Sequence, residues 1–222
     1  MDLSNSITIW RNVLTKPSEA TFAAEKENPN ANLTTALIWV VAAALINFIA
    51  QAITFLVFDP VQDFIDIYTE FLNTSGMSDA VVEEFLAQLA SDSFRNSLLL
   101  GLFLGVILFP IFFLIGSGIL WMVARVFGGN GDFSEQTYLI STYYTPLTII
   151  KVIASFLPII GLFINLIIFG YQFVLTYFAL RVAHQLTPGK SIGTILVPMV
   201  GTFAFSCCCT FLTISTLASA AA

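Results

Sequence analysis

The chain has 222 residues, 57% hydrophobic and only 10% charged, whereas a soluble domain carries roughly 25% charged residues, so these charges cannot clothe a water-facing surface. A mean hydropathy of +0.89 and 22 phenylalanines call for lipid around the apolar side chains. The net charge of -6 excludes nucleic acid as a partner, the more so because eight of the fourteen acidic residues crowd into positions 59–92 with Arg95 the one base nearby.

Residues 1–35 read as a cytoplasmic, amphipathic segment that lacks the continuous apolar run of a cleavable signal. Leu3, Ile7, Trp10 and Leu14 fall on one helical stripe, and Pro17 stops or restarts the helix. Such a helix anchors the chain at the interface or docks a partner.

Five apolar stretches follow, at 36–58, 97–126, 137–156, 159–180 and 191–217, closed by a small-residue tail at 218–222. The first is uncharged over its length and about 35 Å long as a helix, enough to cross a hydrocarbon core of about 30 Å. The second is long and holds Gly101, Gly105, Pro110, Gly116 and Gly118, which predicts a tilted or kinked span with the glycines at close helix contacts. Pro146 interrupts the third stretch. Little more than Leu157 and Pro158 divides it from the fourth, which makes the two an antiparallel hairpin, and Pro198 lies in the fifth. The expected fold is an all-α membrane protein, a five-transmembrane-helix bundle with amphipathic interfacial helices.

The acidic loop at 59–96 holds two of those interfacial helices. Val61, Phe64, Ile65, Tyr68, Phe71 and Leu72 oppose Asp63, Asp66 and Glu70 in the first. In the second, Ser78 caps a stripe of Val81, Val82, Phe85, Leu86 and Leu89. With a cytoplasmic N-terminus, that side gathers Arg11, Lys16, Lys26, Arg125, Arg181 and Lys190, six of the eight bases. The acidic loop and the C-terminus are then outside.

No motif supplies catalytic chemistry. The FGGNGDF stretch at 127–133 reads as a cytoplasmic turn, with Arg125 at a helix C-terminus, Gly128 as a left-handed cap, and Asp132 and Glu135 at capping-box spacing. It lacks the Lys-Ser/Thr pair of a phosphate loop. Gly129 to Asp132 spell the GxGD of intramembrane aspartyl proteases, but no second acidic residue lies within an expected span. Ser117 sits between two glycines like a nucleophile, yet the single histidine, His184, falls at or beyond the end of the fourth span.

Lys151 is the one formal charge within a span, five residues before Phe156, so it either snorkels outward or serves a substrate or proton. Asn47 with Gln51, and Asn165 with Gln172, share helix faces and make interhelical hydrogen bonds or line a polar path. Cys207, Cys208 and Cys209 have neither metal-ligand nor disulfide spacing and read as packing material or an acylation site. Residues 73–75 form a glycosylation sequon on the loop assigned outside.

Trp10-Arg11 and Lys16-Pro17 before the first span, the second span closing on FGGNGDF, and Tyr143, Tyr144 and Pro146 in the third together resemble the YIP membrane-domain family, named for Ypt/Rab-interacting proteins. The resemblance is sharpest over residues 127–146 and implies a five-span layout with a cytoplasmic N-terminus and no catalytic residues. The longer N-terminal region and DLYGP signature of eukaryotic members are missing, so the chain is similar to the prokaryotic type and Rab binding does not carry over.

The leading expectation is a non-enzymatic scaffold without cofactors in a prokaryotic cell membrane. It would recruit unidentified membrane or cytoplasmic proteins, with a homo-oligomer allowed. Gly128, Gly129, Gly131, Asp132, Phe133, Tyr144, Pro146 and Lys151 are the candidate functional residues. The rival is a small transporter or channel subunit with a path around Lys151, Asn47, Gln51, Asn165 and Gln172. Convergence of those side chains on one cavity favours transport; dispersal favours the scaffold.

Overall fold

A computed structural model describes residues 3–57, 62, 65, 66, 69 and 79–220. The described residues form helices: α1 (Leu3–Thr15), α2 (Glu19–Lys26), α3 (Leu33–Val57), α4 (Asp79–Leu89), α5 (Asp92–Val126), α6 (Phe133–Ser155), α7 (Pro158–His184) and α8 (Pro188–Ala220). Four of them contain stretches long and apolar enough to cross a membrane: Leu33–Phe55, Asp92–Val126, Ile160–His184 and Pro188–Thr210. The third expected stretch, at 137–156, does not meet that criterion, because α6 is rich in Ser, Thr, Tyr and Gln.

Several boundaries move. The second span opens at Asp92, on a cap from Ser91, not at residue 97, so the acidic loop ends earlier. The fourth runs to His184, which brings the histidine into the helix. The chain does not break at Pro110, Pro146 or Pro198, each of which lies inside a continuous helix. Pro17 does separate two helices, α2 starting on the Ser18 cap. In the acidic loop, Ile65 is half-buried and Asp66 exposed, as their assigned faces require; most of that first amphipathic stretch, Ser78 and the sequon lie outside the described residues. Within α4, Val82 and Leu89 are buried while Phe85 is exposed.

One end of the bundle organises the rest. Here α5 ends and α6 begins, three residues separate the end of α7 from the start of α8, and the Leu33 amide at the start of α3 donates to Ser134 Oγ at 2.8 Å. Each of the five long helices therefore has one terminus at this basal end.

The core is α6. It packs against α3, α5, α7, α1 and α2, and Gln136, Thr137, Tyr138, Leu139, Ser141, Thr142 and Thr145 are fully enclosed. Three of its hydroxyls bond back to the helix itself: Thr137 to the Phe133 carbonyl, Ser141 to Tyr138 and Thr142 to Leu139, each at 2.7 Å. Polar groups that satisfy themselves make no demand on the surroundings, which lets this helix sit in the middle of an otherwise apolar bundle. The outer faces of its neighbours are the reverse, with Ile49, Phe103, Ile107, Phe112, Leu166 and Ile167 all exposed. A sheath of that composition belongs in hydrocarbon.

The N-terminal helix corrects its expected stripe. Leu3 and Ile7 face outward, and the buried face is Ser6, Ile9 and Val13 with Trp10 beside it. Indole chemistry accounts for the shift. Trp39 of α3 donates from Nε1 to Ser6 Oγ at 3.3 Å and meets the Trp10 ring edge-on at 5.6 Å. The Tyr171 hydroxyl of α7 donates to the Leu14 carbonyl, so α1 bridges α3 and α7 instead of lying apart on a surface. Behind it, α2 drives Phe22, fully buried, onto the rings of Tyr143 and Phe178 at 6.3 and 6.4 Å.

Candidate functional site

The basal turn is held by a directed chain of hydrogen bonds. The Gly131 amide donates to His184 Nδ1 at 3.1 Å, which requires the proton of the neutral ring to be on Nε2; that nitrogen donates to Gln136 Oε1 at 2.7 Å. Gln136 Nε2 donates to the Ser117 carbonyl and hydroxyl at 2.8 and 3.2 Å, Ser117 to Thr137 at 2.8 Å, and Thr137 to the Phe133 carbonyl. Turn, α5, α6 and α7 are joined through the buried groups of Gly131, His184, Gln136, Ser117 and Thr137, so a broken link among them strands a polar atom at about 1–3 kcal/mol.

Glycine is required here by space. A Cβ on Gly131 would lie 2.2 Å from the Ala183 carbonyl oxygen, and one on Gly129 would lie 2.8 Å from His184 Cβ. Gly128 takes the left-handed conformation at φ +89 after α5, as expected of a helix cap. Asp132 caps α6 by accepting from the amides of Ser134 and Glu135 at 2.7 and 3.3 Å. Glu135 does not complete a capping box; it pairs with Lys26 of α2 at 3.1 Å. Phe133 meets Trp121 edge-on at 6.3 Å, and Arg125 lies over the same indole at 5.1 Å while bonding the Gly131 carbonyl. A second ion pair, Arg181 with Glu19, fastens α2 to α7. Partial burial raises the Glu25 carboxyl of α2 above its ordinary value of 4.5, a shift that a hydrogen bond from Asn28 only partly offsets.

The candidate residues thus divide. Gly128, Gly129, Gly131, Asp132 and Phe133 form the turn, whereas Tyr144, Pro146 and Lys151 are strung along α6 away from it. Tyr144 packs on Phe113 and Phe109 at 5.0 and 5.9 Å, Pro146 is buried, and Lys151 donates to Gln172 Oε1 at 2.8 Å. His184, Gln136 and Ser117 complete the basal network. Sequence reasoning missed them as a set, since residues 48 and 19 apart are joined only by folding. Both nitrogens of His184 are engaged, and Gln136 stands between it and Ser117, so the serine has no base. Asp132 is occupied as a cap.

The intramembrane amides do not share a cavity. Asn47 and Gln51 line a groove of about 470 Å³ between α3 and α5, while Gln172 lines another of about 380 Å³ between α5 and α7. Asn165 lines neither. The glycines of α5 also differ from expectation. A Cβ on Gly101, Gly105, Gly116 or Gly118 would meet nothing within 4 Å, so they are not at helix contacts, and the first three line the two grooves. Cys207, Cys208 and Cys209 are exposed, which removes the packing role assigned to them.

No curated protein and no solved structure matches the chain. The model of one family, the Yip1 domain, matches residues 11–209. That interval runs from α1 through most of α8 and includes the whole basal network. The chain belongs to the Yip1-domain family of multi-pass membrane proteins.

Proposed function

We propose that this protein is a non-enzymatic scaffold that crosses the bilayer five times and recruits protein partners at its basal end, with α6 as the central crossing. The 23 residues of α6 give about 35 Å of helix, and its neighbours α3, α5 and α7 carry the apolar stretches. Members of the family are generally non-enzymatic membrane-trafficking proteins. The basal end gathers Lys26, Arg125, Arg181 and Lys190 around the turn, and the bias of bases toward the cytoplasm makes it the inner face. In this orientation the N-terminus is cytoplasmic and the C-terminus outside, and departure from the DLYGP signature favours a prokaryotic cell membrane.

One observation carries the recruiting role. The charged and hydrogen-bonding groups are concentrated in a platform built from α1, α2 and the turn, while of the polar side chains of the transporter reading Asn47 and Gln51 line one groove, Gln172 another, and Asn165 and Lys151 neither. A photo-crosslinking residue at Glu27 or Asn130, both exposed at that end, should capture the same neighbouring protein in native membranes, and one at lipid-facing Phe163 should not. No reproducible neighbour at either basal position, together with solute flux in proteoliposomes, would reverse the reading in favour of transport.

A further inference from the structure

Asn47 and Gln51 of α3 carry amides that the fold does not use. Both side chains are half-buried, and neither makes a hydrogen bond with any described residue, whereas Gln172 accepts from Lys151. They stand one helical turn apart, about 6 Å. Asn47 is three residues past the middle of the apolar stretch Leu33–Phe55 and Gln51 seven, so both lie at hydrocarbon depth. An amide without a partner is costly there, since lipid tails neither donate nor accept.

Both amides line the groove between α3 and α5, whose volume of about 470 Å³ is within the range of roughly 300–1,000 Å³ typical of ligand sites. Glycine keeps it open: Gly101 and Gly105 of α5 face it, and a Cβ on either would meet nothing within 4 Å. The hydroxyls of Thr54 and Ser97 in its lining are spent on the Ala50 and Ser93 carbonyls, at 3.0 and 2.8 Å. Among the described residues none that lines the groove is charged, and Arg95 lies outside the lining, over the Phe55 ring at 5.9 Å.

These features select an occupant. A phospholipid would have to carry its phosphate from the interface into an uncharged wall, and an acyl chain by itself would leave both amides unsatisfied. Water bound to the amides would meet hydrocarbon on its other sides, where it needs polar partners. A carboxamide both donates and accepts. Two of them a turn apart therefore match a molecule with hydroxyl and carbonyl oxygens a few ångströms apart on an apolar body.

We propose that the groove between α3 and α5 binds an uncharged lipid of the glyceride class, whose hydroxyl and ester oxygens pair with Asn47 and Gln51 while its chain packs on Phe48 and Phe109. The site requires that α3 and α5 cross the bilayer. It is independent of their orientation and of any protein partner at the basal end.

The test uses the full chain in phosphatidylcholine nanodiscs that contain either a diacylglycerol or a phosphatidylcholine bearing the same photoreactive acyl chain. After irradiation, labelled peptides are identified by mass spectrometry. Diacylglycerol should label the peptides bordering the groove roughly ten-fold more than phosphatidylcholine does, and Asn47→Leu and Gln51→Leu should each cut that preference roughly three- to five-fold. Both variants should keep the wild-type melting temperature, because the amides bond nothing in the fold. Gly105→Leu, whose added carbons enter open space, should abolish the preference while the fold persists. Equal labelling by the two probes, or a preference that survives when both amides are replaced, would overturn the assignment of the ligand. A lowered melting temperature in either leucine variant would show that the amides serve the fold instead. A preference retained in Gly105→Leu would overturn the groove as the place of binding.

Discussion

The two flanks of α6 solve one problem in different materials. Between α3 and α7 the gap is closed by protein, with Phe22 and Val13 fully enclosed and two ion pairs at the margin. Between α5 and α7 the walls are as aromatic, yet Phe112 is 63% exposed and a Cβ on Gly116 would meet nothing within 4 Å. The lesson is that apolarity alone does not mark the packed side of a membrane helix. What distinguishes the closed flank is directional bonding to the helix that fills it, Trp39 to Ser6 and Tyr171 to Leu14, whereas the bonds of Tyr143 and Lys151 beside the open flank join α6 to α7 only; hydrocarbon competes for apolar contacts but offers nothing to a donor.

This contrast can be broken most forcefully at Phe22. Phe22→Ala removes a fully buried ring between Tyr143 and Phe178 and is expected to weaken docking of α1 and α2 by about 3–5 kcal/mol. Hydrogen exchange should then accelerate in both helices while α6 and α7 stay protected; equal protection everywhere would mean that the N-terminal helices are not a separable seal. At the base, Gly131→Ala must displace the Ala183 carbonyl and the His184 ring, at a cost of about 3 kcal/mol, read as a lowered melting temperature in detergent. Retention of the wild-type melting temperature would disprove the close approach of turn and α7.

A smaller effect is expected at Glu25, and its sign depends on pH. Since the folded state raises this carboxyl, its contribution to α2 docking is full below the ordinary value of 4.5 and is lost as pH rises through the elevated folded value. Glu25→Gln, which imitates the protonated acid, should therefore raise the melting temperature at pH 7.5 and leave it unchanged below pH 4.5. A gain that persists in acid would assign the effect to something other than ionisation. Smallest of all, Phe112→Ala on the open flank should change stability by no more than about 0.5 kcal/mol, since its ring packs on little protein. A loss comparable with that at Phe22 would erase the distinction between the flanks.

Much of the scaffold was legible before folding. The uncharged run of α3, the length of α5 and the hairpin at Leu157 and Pro158 follow from local composition and spacing. The turn was legible too, because Gly128 and Asp132 act on backbone groups a few residues away. The candidate site was only half visible: its glycines stood out, but His184 and Gln136 carry no signal until α7 is brought against the turn.

By itself the sequence determined that the chain is helical, where its four most apolar helices lie, and how the basal turn caps α5 and α6, all of which depend on neighbours within a turn or two. Only the tertiary structure decided that the polar α6 is the core, that α1 buries Ser6, Ile9 and Val13 and not Leu3 and Ile7, and that Lys151 bonds Gln172, which lines a groove apart from Asn47 and Gln51. Hydropathy is a property of each residue, whereas the inward face of a helix is set by which donors, rings and carbonyls the other helices bring to meet it.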